Sequence, residues 1–205
     1  METPFLANRP YDFYENVPLS FTIYLCKDCR VKKKDYEIAR YLDEDIIPKQ
    51  IPNYGYVDVF AGRSRLKVKT PIMLCPFGFN KQTNQIYLQF SNLKTDASMM
   101  GFYEFIQGIE MKQMEYLGLS ETEVDEYISQ IKYDKHGKYD PNLVVKVPFS
   151  SNKYNVDVRN KEKHCSVSQL FNFSKLQCDI YIDKIWKYNG KFVCKWKVDK
   201  IFISS

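Results

Sequence analysis

The chain has 205 residues and a net charge of +5, and 44% of its residues are hydrophobic. That length fits one domain with a substantial core, or one domain that carries an insertion. No apolar run is long enough to span a bilayer, and the first residues do not lead a charged segment into an apolar one. We therefore expect neither a membrane protein nor a protein secreted by its own signal.

The six cysteines have no regular spacing, and several fall within strand-like apolar patterns. Without a secretion signal they indicate reduced thiols, so we expect an intracellular protein. Cys26 and Cys29 have the spacing of half a zinc site, but no second Cys or His pair follows at zinc-finger spacing. We therefore expect no metal.

Residues 1–53 are predicted to form an arm of mixed strand and helix that packs on the main domain. The stretch "LSFTIYLC" (19–26) has the pattern of a strand, and the charged stretch 27–45 is compatible with a helix. Prolines then break the segment 46–55 before a clear run of strand patterns starts at residue 54.

The stretch "GRSRLKVKTPIML" (62–74) follows the strand pattern "YGYVDVF" (54–60), and its residues alternate between charged and apolar. Successive side chains of a strand point to opposite faces, so the apolar set is predicted to lie in a core and the cations on the other side. The cationic set is Arg63, Arg65, Lys67 and Lys69, and the apolar set is Leu66, Val68, Ile72 and Leu74. Such a stripe is either a solvated outer face or a track for a polyanion.

The segment 76–84 is rich in Pro, Gly and Asn and separates this strand from the strand pattern 85–93. It is therefore predicted to be a hairpin loop. It carries Phe77, Phe79 and Lys81.

Residues 94–134 contain nine acids against three bases, a local charge of −6 that leaves +11 for the rest of the chain. This asymmetry is expected when one face meets a polyanion and another avoids it. Apolar residues at helical spacing and a Ser120/Glu123 capping box predict a helical pair inserted at about 99–132. The two apolar stripes are Phe102, Phe105, Ile106 and Ile109, then Val124, Tyr127, Ile128 and Ile131.

Strand patterns resume at 142–149 and 153–158, and the strongest is the last, residues 176–203. Asn189-Gly190 is the preferred pair for a two-residue type I′ turn, so a long hairpin is predicted. Its register would put Trp186 opposite Val193, Lys184 opposite Lys195, and Ile182 opposite Lys197 on a cationic face tipped by Tyr188 and Lys191. The apolar face would pair Ile185 with Cys194, Asp183 with Trp196, and Tyr181 with Val198. A bulge would exchange part of these faces.

These elements predict an α+β fold that is mainly β: an OB-type antiparallel Greek-key barrel over residues 54–205 with an inserted helical pair. In such barrels the loop between the first two strands and the loop between the last two hold the ligand. Here they would be the Phe77 to Lys81 segment and the Asn189-Gly190 tip.

A cationic sheet face with aromatic loops suits single-stranded nucleic acid, which needs positive charge for its backbone and rings for its unpaired bases. The predicted helices are acidic, which argues against a helix in the groove of a duplex. Phosphate contacts are predicted for Arg63, Arg65, Lys67, Lys69, Lys191, Lys195 and Lys197, with Lys81 on the loop. Stacking on bases is predicted for Phe77, Phe79, Trp186 and Tyr188.

Competing motifs are weaker. Adjacent residues of a strand point to opposite faces, so His164 and Cys165 do not form a catalytic dyad with each other. The run 43–45 and the pair Asp179 and Asp183 are the only hints of a metal-dependent nuclease. No phosphate-binding glycine loop occurs, so no nucleotide cofactor is expected.

The stretches "IWKYNGKFVCKWKVDKIFI" and "PFGFN", the latter followed by "FYEFIQGIE", resemble the single-stranded DNA-binding proteins of the nucleocytoplasmic large DNA viruses, the group of African swine fever virus. The likeness covers roughly residues 54–203. It implies an OB-type fold and single-strand binding without catalysis.

The first hypothesis is a non-enzymatic protein that coats or protects viral single-stranded DNA during replication or repair, with RNA left open. It would act in the host cytoplasm or a viral factory and could associate with itself or with viral replication proteins. An interaction module of a virion or scaffold is the alternative. A metal-dependent nuclease is the third hypothesis.

Overall fold

The structure is a computed structural model, and it describes residues 21–25, 53–61 and 65–204. The charged stretch 27–45 and Arg63 lie outside the described residues, and the arm 1–53 as a unit stays a prediction. The strands are β1 (Phe21–Leu25), β2 (Tyr56–Ala61), β3 (Leu66–Lys69), β4 (Met73–Cys75), β5 (Phe79–Asn80), β6 (Gln85–Gln89), β7 (Ile131–Lys132), β8 (Asn142–Lys146), β9 (Phe149–Ser150), β10 (Lys153–Tyr154), β11 (Asp157–Asn160), β12 (Lys163–Cys165), β13 (Ser174–Ile182), β14 (Lys184–Tyr188), β15 (Lys191–Cys194) and β16 (Trp196–Ser204). The α-helix α1 is Ala97–Tyr116, and shorter 3-10 helices span Glu121–Glu126 and Val167–Gln169.

The strand pairings close a barrel of five positions. β13 is antiparallel to β16 on one side and to β3 and then β4 on the other. β4 pairs with β6, β6 pairs with β8, and β8 returns to β16 in parallel. In chain order the five positions are β3 with β4 (position 1), β6 (2), β8 (3), β13 (4) and β16 (5). Around the ring their order is 1-2-3-5-4-1, and positions 3 and 5 are parallel, which is the OB arrangement. The predicted mainly-β OB-type barrel is confirmed.

The barrel is filled by the alternate residues of each strand. Ile86 and Leu88 of β6, and Leu176, Cys178 and Ile180 of β13, have no exposed surface. Trp196, at the start of β16, is 1% exposed and is the largest fully buried side chain among the described residues. Because inward residues alternate with outward ones along each strand, the burial pattern also fixes which side chains the barrel shows to solvent.

The helical insertion is present, but its second helix is shorter than the apolar stripe predicted. Asp96 caps α1 by accepting a hydrogen bond from the Met99 backbone N at 3.0 Å. The Ser120 capping box also forms, but the 3-10 helix that it starts ends at Glu126. The chain then runs extended, because Ile128 N donates to Phe192 O (2.7 Å) and Gln130 N donates to the buried Glu110 carboxylate (2.7 Å). These tertiary hydrogen bonds replace further helical ones.

A second sheet, in the order β1-β2-β14-β15, stands at one end of the barrel. Its hairpin β14–β15 is the connection between barrel strands β13 and β16. The predicted tip register is confirmed, with Tyr188 opposite Lys191 and Trp186 opposite Val193. Lower in the hairpin the prediction is wrong, since Tyr181 lies opposite Lys197 and Ile182 is buried. The chain passes from one sheet to the other at Asp183, whose carbonyl accepts from Val59 N at 2.8 Å, so the alternation shifts there.

The strand predicted over 62–74 is interrupted at Pro71, which has no N–H to donate. The preceding Thr70 is buried, and its hydroxyl accepts from Cys178 N at 3.0 Å. After this break the inward set changes to Met73 and Cys75. The predicted burial of Ile72 and Leu74 is therefore wrong, since Ile72 is 53% exposed and Leu74 is half-buried.

Candidate nucleic-acid interface

A row of outward side chains crosses all five barrel strands, and we call it the basic band. Each member is the cross-strand partner of the next. The row runs from β3 to β6 through Lys67, Tyr181, Lys197, Lys146 and Gln85. Adjacent strands are about 4.8 Å apart, so its four steps cover about 19 Å around the barrel. The band is perpendicular to the strands, whereas the sequence pattern indicated only a stripe along one strand.

The three described cations of the predicted stripe, Arg65, Lys67 and Lys69, are all exposed, and Leu66 between them is buried. The guanidinium of Arg65 lies 5.6 Å from the ring centre of Tyr181. The Lys69 ammonium lies 5.5 Å from the ring of Phe202 on β16. Both distances are in the range of cation–π attraction, so these cations lie over rings on the outer surface of the barrel.

Acidic residues occupy part of this surface. Lys67 Nζ lies 3.0 Å from Asp199 Oδ2, and Lys197 Nζ lies 2.7 Å from Asp183 Oδ2. The pKa of Lys146 is lowered, first by burial and then by repulsion from Lys195. The band is thus positive but interleaved with carboxylates, and it is not the unopposed cationic stripe that the sequence suggested.

The second sheet carries a group of rings, which we call the aromatic hairpin face: Tyr54, Tyr56, Trp186 and Tyr188. Trp186 and Tyr56 are cross-strand partners with ring centres 4.8 Å apart. Tyr54 meets Tyr188 edge to face at 5.2 Å. Tyr54 is 62%, Trp186 38% and Tyr188 53% exposed. Unpaired bases can stack on exposed rings of this kind.

The backbone of this face is well braced. Asn189 and Gly190 have φ of 48° and 76°, the left-handed pair that a type I′ turn requires. Gly190 N donates to the side chain of Asn53, and Tyr54 N donates to Lys187 O at 2.7 Å. The hairpin tip is therefore tied to the strand beside it, which holds the rings in place.

Lys184 places a charge within the aromatic hairpin face. Its ammonium is 3.6 Å from the ring centre of Tyr56 and 5.7 Å from that of Trp186. It also lies 3.8 Å from Asp58. Burial raises the pKa of Asp58, although Lys184 and Arg65 act in the opposite direction.

Two residues connect the aromatic hairpin face to the basic band. Asp58 interacts electrostatically with Lys184 on the hairpin and with Arg65 beside β3. Lys195 is exposed between the buried Cys194 and Trp196, at the junction of hairpin and barrel. Its charge contributes to the lowered pKa of Lys146 in the band. The rings and the cations therefore form one continuous surface.

The loop between the first two barrel positions carries its three predicted residues in different settings. Phe77 is 61% exposed and meets Tyr87 edge to face at 5.6 Å. Phe79 is half-buried, packs against the core and meets Tyr154 at 5.0 Å, so it offers less ring surface than predicted. Lys81 is exposed in the turn that follows β5. Roles in binding for these three residues stay predictions.

Sequence reasoning missed several members of this surface. Tyr54 and Tyr56 alternate in "YGYVDVF", a period-2 signal that was sufficient to put them on one face of a strand, but only the pairing of β2 with β14 puts that face beside the hairpin. Lys146 has no comparable local signal, since only the parallel pairing of β8 with β16 brings it beside Lys197. Of the remaining predicted cations, Lys191 is exposed, and its ammonium donates to Asp125 O at 3.3 Å.

The residues behind the competing hypotheses have other partners. Asp183 is ion-paired with Lys197, and His164 Nδ1 lies 2.9 Å from Asp157 Oδ1, while Cys165 packs against the core. Within the described residues, no group of three His, Cys, Asp or Glu side chains is arranged to hold a metal ion. Cys26, Cys29 and the acidic run 43–45 lie outside that part of the chain. None of the described helices has the length and apolar character needed to cross a membrane.

No family model matches the chain, and no curated protein matches it. Solved structures similar to it include gp2.5, a single-stranded DNA-binding protein encoded by bacteriophage T7, with 11% identity and a TM-score of 0.47 over 68% of this chain and 86% of that one. A single-stranded DNA-binding protein from bacteriophage Enc34, in complex with ssDNA, has 11% identity and a TM-score of 0.47 over 79% and 96%. The OB-type fold of this chain rests on its own strand pairings and not on these two likenesses. The resemblance to proteins of nucleocytoplasmic large DNA viruses stays a prediction.

Proposed function

We propose that this protein binds single-stranded DNA without catalysis. The observation that carries the proposal is the continuous surface made by the basic band and the aromatic hairpin face. The band supplies cations for the phosphates, and the hairpin supplies ring surfaces for unpaired bases. α1 is not basic at its exposed positions and lies within the acidic segment, which does not suit a recognition helix in a duplex groove.

Shape also supports a single strand as the ligand. The exposed rings of Trp186 and Tyr188 lie on the outer side of a hairpin whose other side, Ile185 and Phe192, is buried. A base has to leave a duplex stack before it can lie flat on such a ring, whereas the bases of a single strand are already accessible. The surface therefore favours unpaired over paired nucleic acid.

As part of the same proposal, the protein coats single strands of a viral genome during replication or repair, in the host cytoplasm or a viral factory. Self-association and contacts with viral replication proteins would accompany that role. The resemblance of its closing hairpin to the large-DNA-virus family motivates this part. It is tested by whether the protein colocalises with newly made viral DNA in infected cells and whether its loss lowers genome copy number.

Binding itself is tested by titrating the protein with oligo-dT, oligo-U and a duplex of equal length at two or more salt concentrations. Trp196 is buried and Trp186 is exposed, so quenching of tryptophan fluorescence reports on the aromatic hairpin face. We expect tight, salt-dependent binding of oligo-dT, with a log-log slope of about −0.7 for each phosphate neutralised. The Trp186→Phe variant should bind similarly but lose most of the quenching.

Three results would contradict the proposal. The first is no binding of oligo-dT by the wild-type chain, and the second is a salt slope near zero. The third is cleavage of labelled single strands with Mg²⁺ or Mn²⁺ that is lost in Asp179→Asn or Asp183→Asn, which would indicate the nuclease instead.

A further inference from the structure

The most exposed large apolar side chains in the described residues lie away from the hairpin. Phe171 is 76% exposed and Phe173 is 69% exposed, both in the segment that leads into β13. With Phe77 they form what we call the phenylalanine patch. Isolated exposed apolar residues are common, but adjacent exposed rings on a short segment are a feature of interaction sites.

The patch is built by two segments in close contact. A Cβ on Gly78 would lie 2.6 Å from Leu170 O and 3.2 Å from the carbonyl carbon of Phe171. Phe173 N also donates to Cys75 O at 2.8 Å. The loop that carries Phe77 is therefore seated directly on the segment that carries Phe171, and only glycine at position 78 allows this approach.

The backbone of the patch is strained. Phe173 has φ of +62°, a left-handed conformation that a bulky residue rarely adopts. Neighbouring hydrogen bonds stabilise this conformation, since Ser174 Oγ and Ser174 N both donate to Phe171 O, at 2.7 and 3.3 Å. Strained backbone of this kind concentrates at ligand-binding positions, and here it accompanies an outward-facing ring.

We propose that the phenylalanine patch is a second stacking site for bases of the same single strand, and this inference rests on the proposed function. The segments 76–84 and 166–175 contain two lysines, Lys81 and Lys175, and no acid. Rings on segments that carry lysines and no acid suit bases on a polyanionic backbone.

The position of the patch extends the proposed binding surface. Phe77 meets Tyr87, which lies on the outer side of β6 beside the basic band. The patch adjoins Ser174 and the aromatic hairpin face adjoins Ile182, at opposite ends of β13. Eight residue steps of about 3.3 Å separate these ends, a distance of about 26 Å. A single-stranded DNA that crosses the band therefore contacts both sets of rings only if it is long enough to span that distance.

The test compares Phe171→Ala and Phe173→Gly, singly and together, on oligo-dT of about 6 and about 30 nucleotides. The first length is near the lower limit of the about 4–16 nucleotides that an OB fold occupies, and the second exceeds the upper limit. We expect the double variant to bind the long oligonucleotide about tenfold or more weakly and the short one almost normally. Because glycine accepts the left-handed conformation, Phe173→Gly should keep or raise the melting temperature, so the loss is not an effect of unfolding. Tyr139→Ala is the control, because Tyr139 is an exposed ring (61%) beside a lysine, Lys138, but lies in the loop between β7 and β8, outside the proposed surface; it should bind like wild type.

Loss of binding at both lengths would also assign the patch to the interface. A double variant that binds both lengths like wild type would overturn this site and leave the proposed function standing. A wild type that binds neither length would overturn both. Sedimentation of the protein without DNA gives a further arm: a wild-type dimer that becomes a monomer in the double variant would show that the patch holds a second copy of the chain instead.

Discussion

The aromatic hairpin face and the basic band differ in how their side chains are partnered. In the band, Lys67 and Lys197 already have carboxylate partners at 3.0 and 2.7 Å. On the hairpin, Tyr54 meets Tyr188 edge to face and Trp186 meets Tyr56 at a tilt, and the rings of Tyr54, Trp186 and Tyr188 remain partly open to solvent. A phosphate backbone that meets the band must compete with protein acids, whereas a base that meets the hairpin finds partly exposed rings with the Lys184 ammonium beside them.

This difference separates two contributions to affinity. Stacking depends little on salt and is worth about 1–3 kcal/mol per base. Interactions between phosphates and lysines release counterions and weaken steeply as salt rises. Changes in the two regions should therefore have different signatures, with the hairpin setting the level of affinity and the band setting its salt dependence.

The largest effect is expected from Trp186→Ala combined with Tyr188→Ala. Removing two rings should weaken oligo-dT binding by about 10- to 100-fold, in line with about 1–3 kcal/mol per stacked base. The salt slope should stay as in the wild type, because no cation is removed. Fluorescence anisotropy of a labelled oligonucleotide measures both quantities without relying on Trp186.

Tyr139→Ala serves as the matched control for this variant too, since Tyr139 is 61% exposed and lies in the loop between β7 and β8, outside the aromatic hairpin face. A double variant with wild-type affinity, or one whose salt slope falls while its affinity at low salt is kept, would contradict the division between the two regions.

An intermediate effect is expected from Lys69→Gln combined with Lys195→Gln. Both lysines are exposed, one beside the band on β3 and one at its junction with the hairpin. For each phosphate that is no longer neutralised, the log-log salt slope should become shallower by about 0.7, and binding should weaken most at low salt. Anisotropy titrations over a series of salt concentrations give the slope.

Lys94→Gln is the control, because Lys94 is exposed at the start of the acidic segment and should not contact the strand. An unchanged slope in the double variant, or an equal change in the control, would mean that the salt dependence arises from general charge and not from the band.

The sequence predicted the fold better than the site because the two depend on interactions of different range. Alternation in "QIYLQ" and the Asn189-Gly190 turn are local signals, and both predicted strands that the structure has. The parallel return of β8 to β16 has no local signal, and that pairing places Lys146 in the band.

The errors in the prediction have a common physical cause. The shift at Asp183 and the break at Pro71 both interrupt a regular ladder. The chain changes sheets at Asp183, and at Pro71 the ladder that β3 and β4 share with β13 loses a donor, so a strict period of two cannot continue through either position. The second helix ended early because Glu110 and Phe192 offer hydrogen bonds to the 128–130 backbone. A single-sequence pattern does not contain such distant partners.

The smallest effect, and one of opposite sign, is expected from Asp199→Asn. Loss of the carboxylate frees Lys67 from its ion pair at 3.0 Å and adds one positive charge to the surface. Exposed ion pairs are worth about 0–1 kcal/mol, so the melting temperature should hardly change, while oligo-dT should bind about two- to fivefold more tightly. Glu121→Gln, an exposed charge change on the acidic segment, is the control and should have little effect.

The direction of this last effect distinguishes two explanations for the acid in the band. If Asp199 only holds Lys67 in place for a phosphate, its removal should weaken binding, because the lysine loses its fixed position. If Asp199 competes with the phosphate, its removal should tighten binding and make the salt slope steeper by up to about 0.7. We expect the second outcome, because Lys67 is exposed and its ammonium can reach a phosphate without help from the carboxylate. Weaker binding by Asp199→Asn would instead show that the ion pair holds Lys67 in a fixed position for a phosphate, as the hairpin backbone holds its rings.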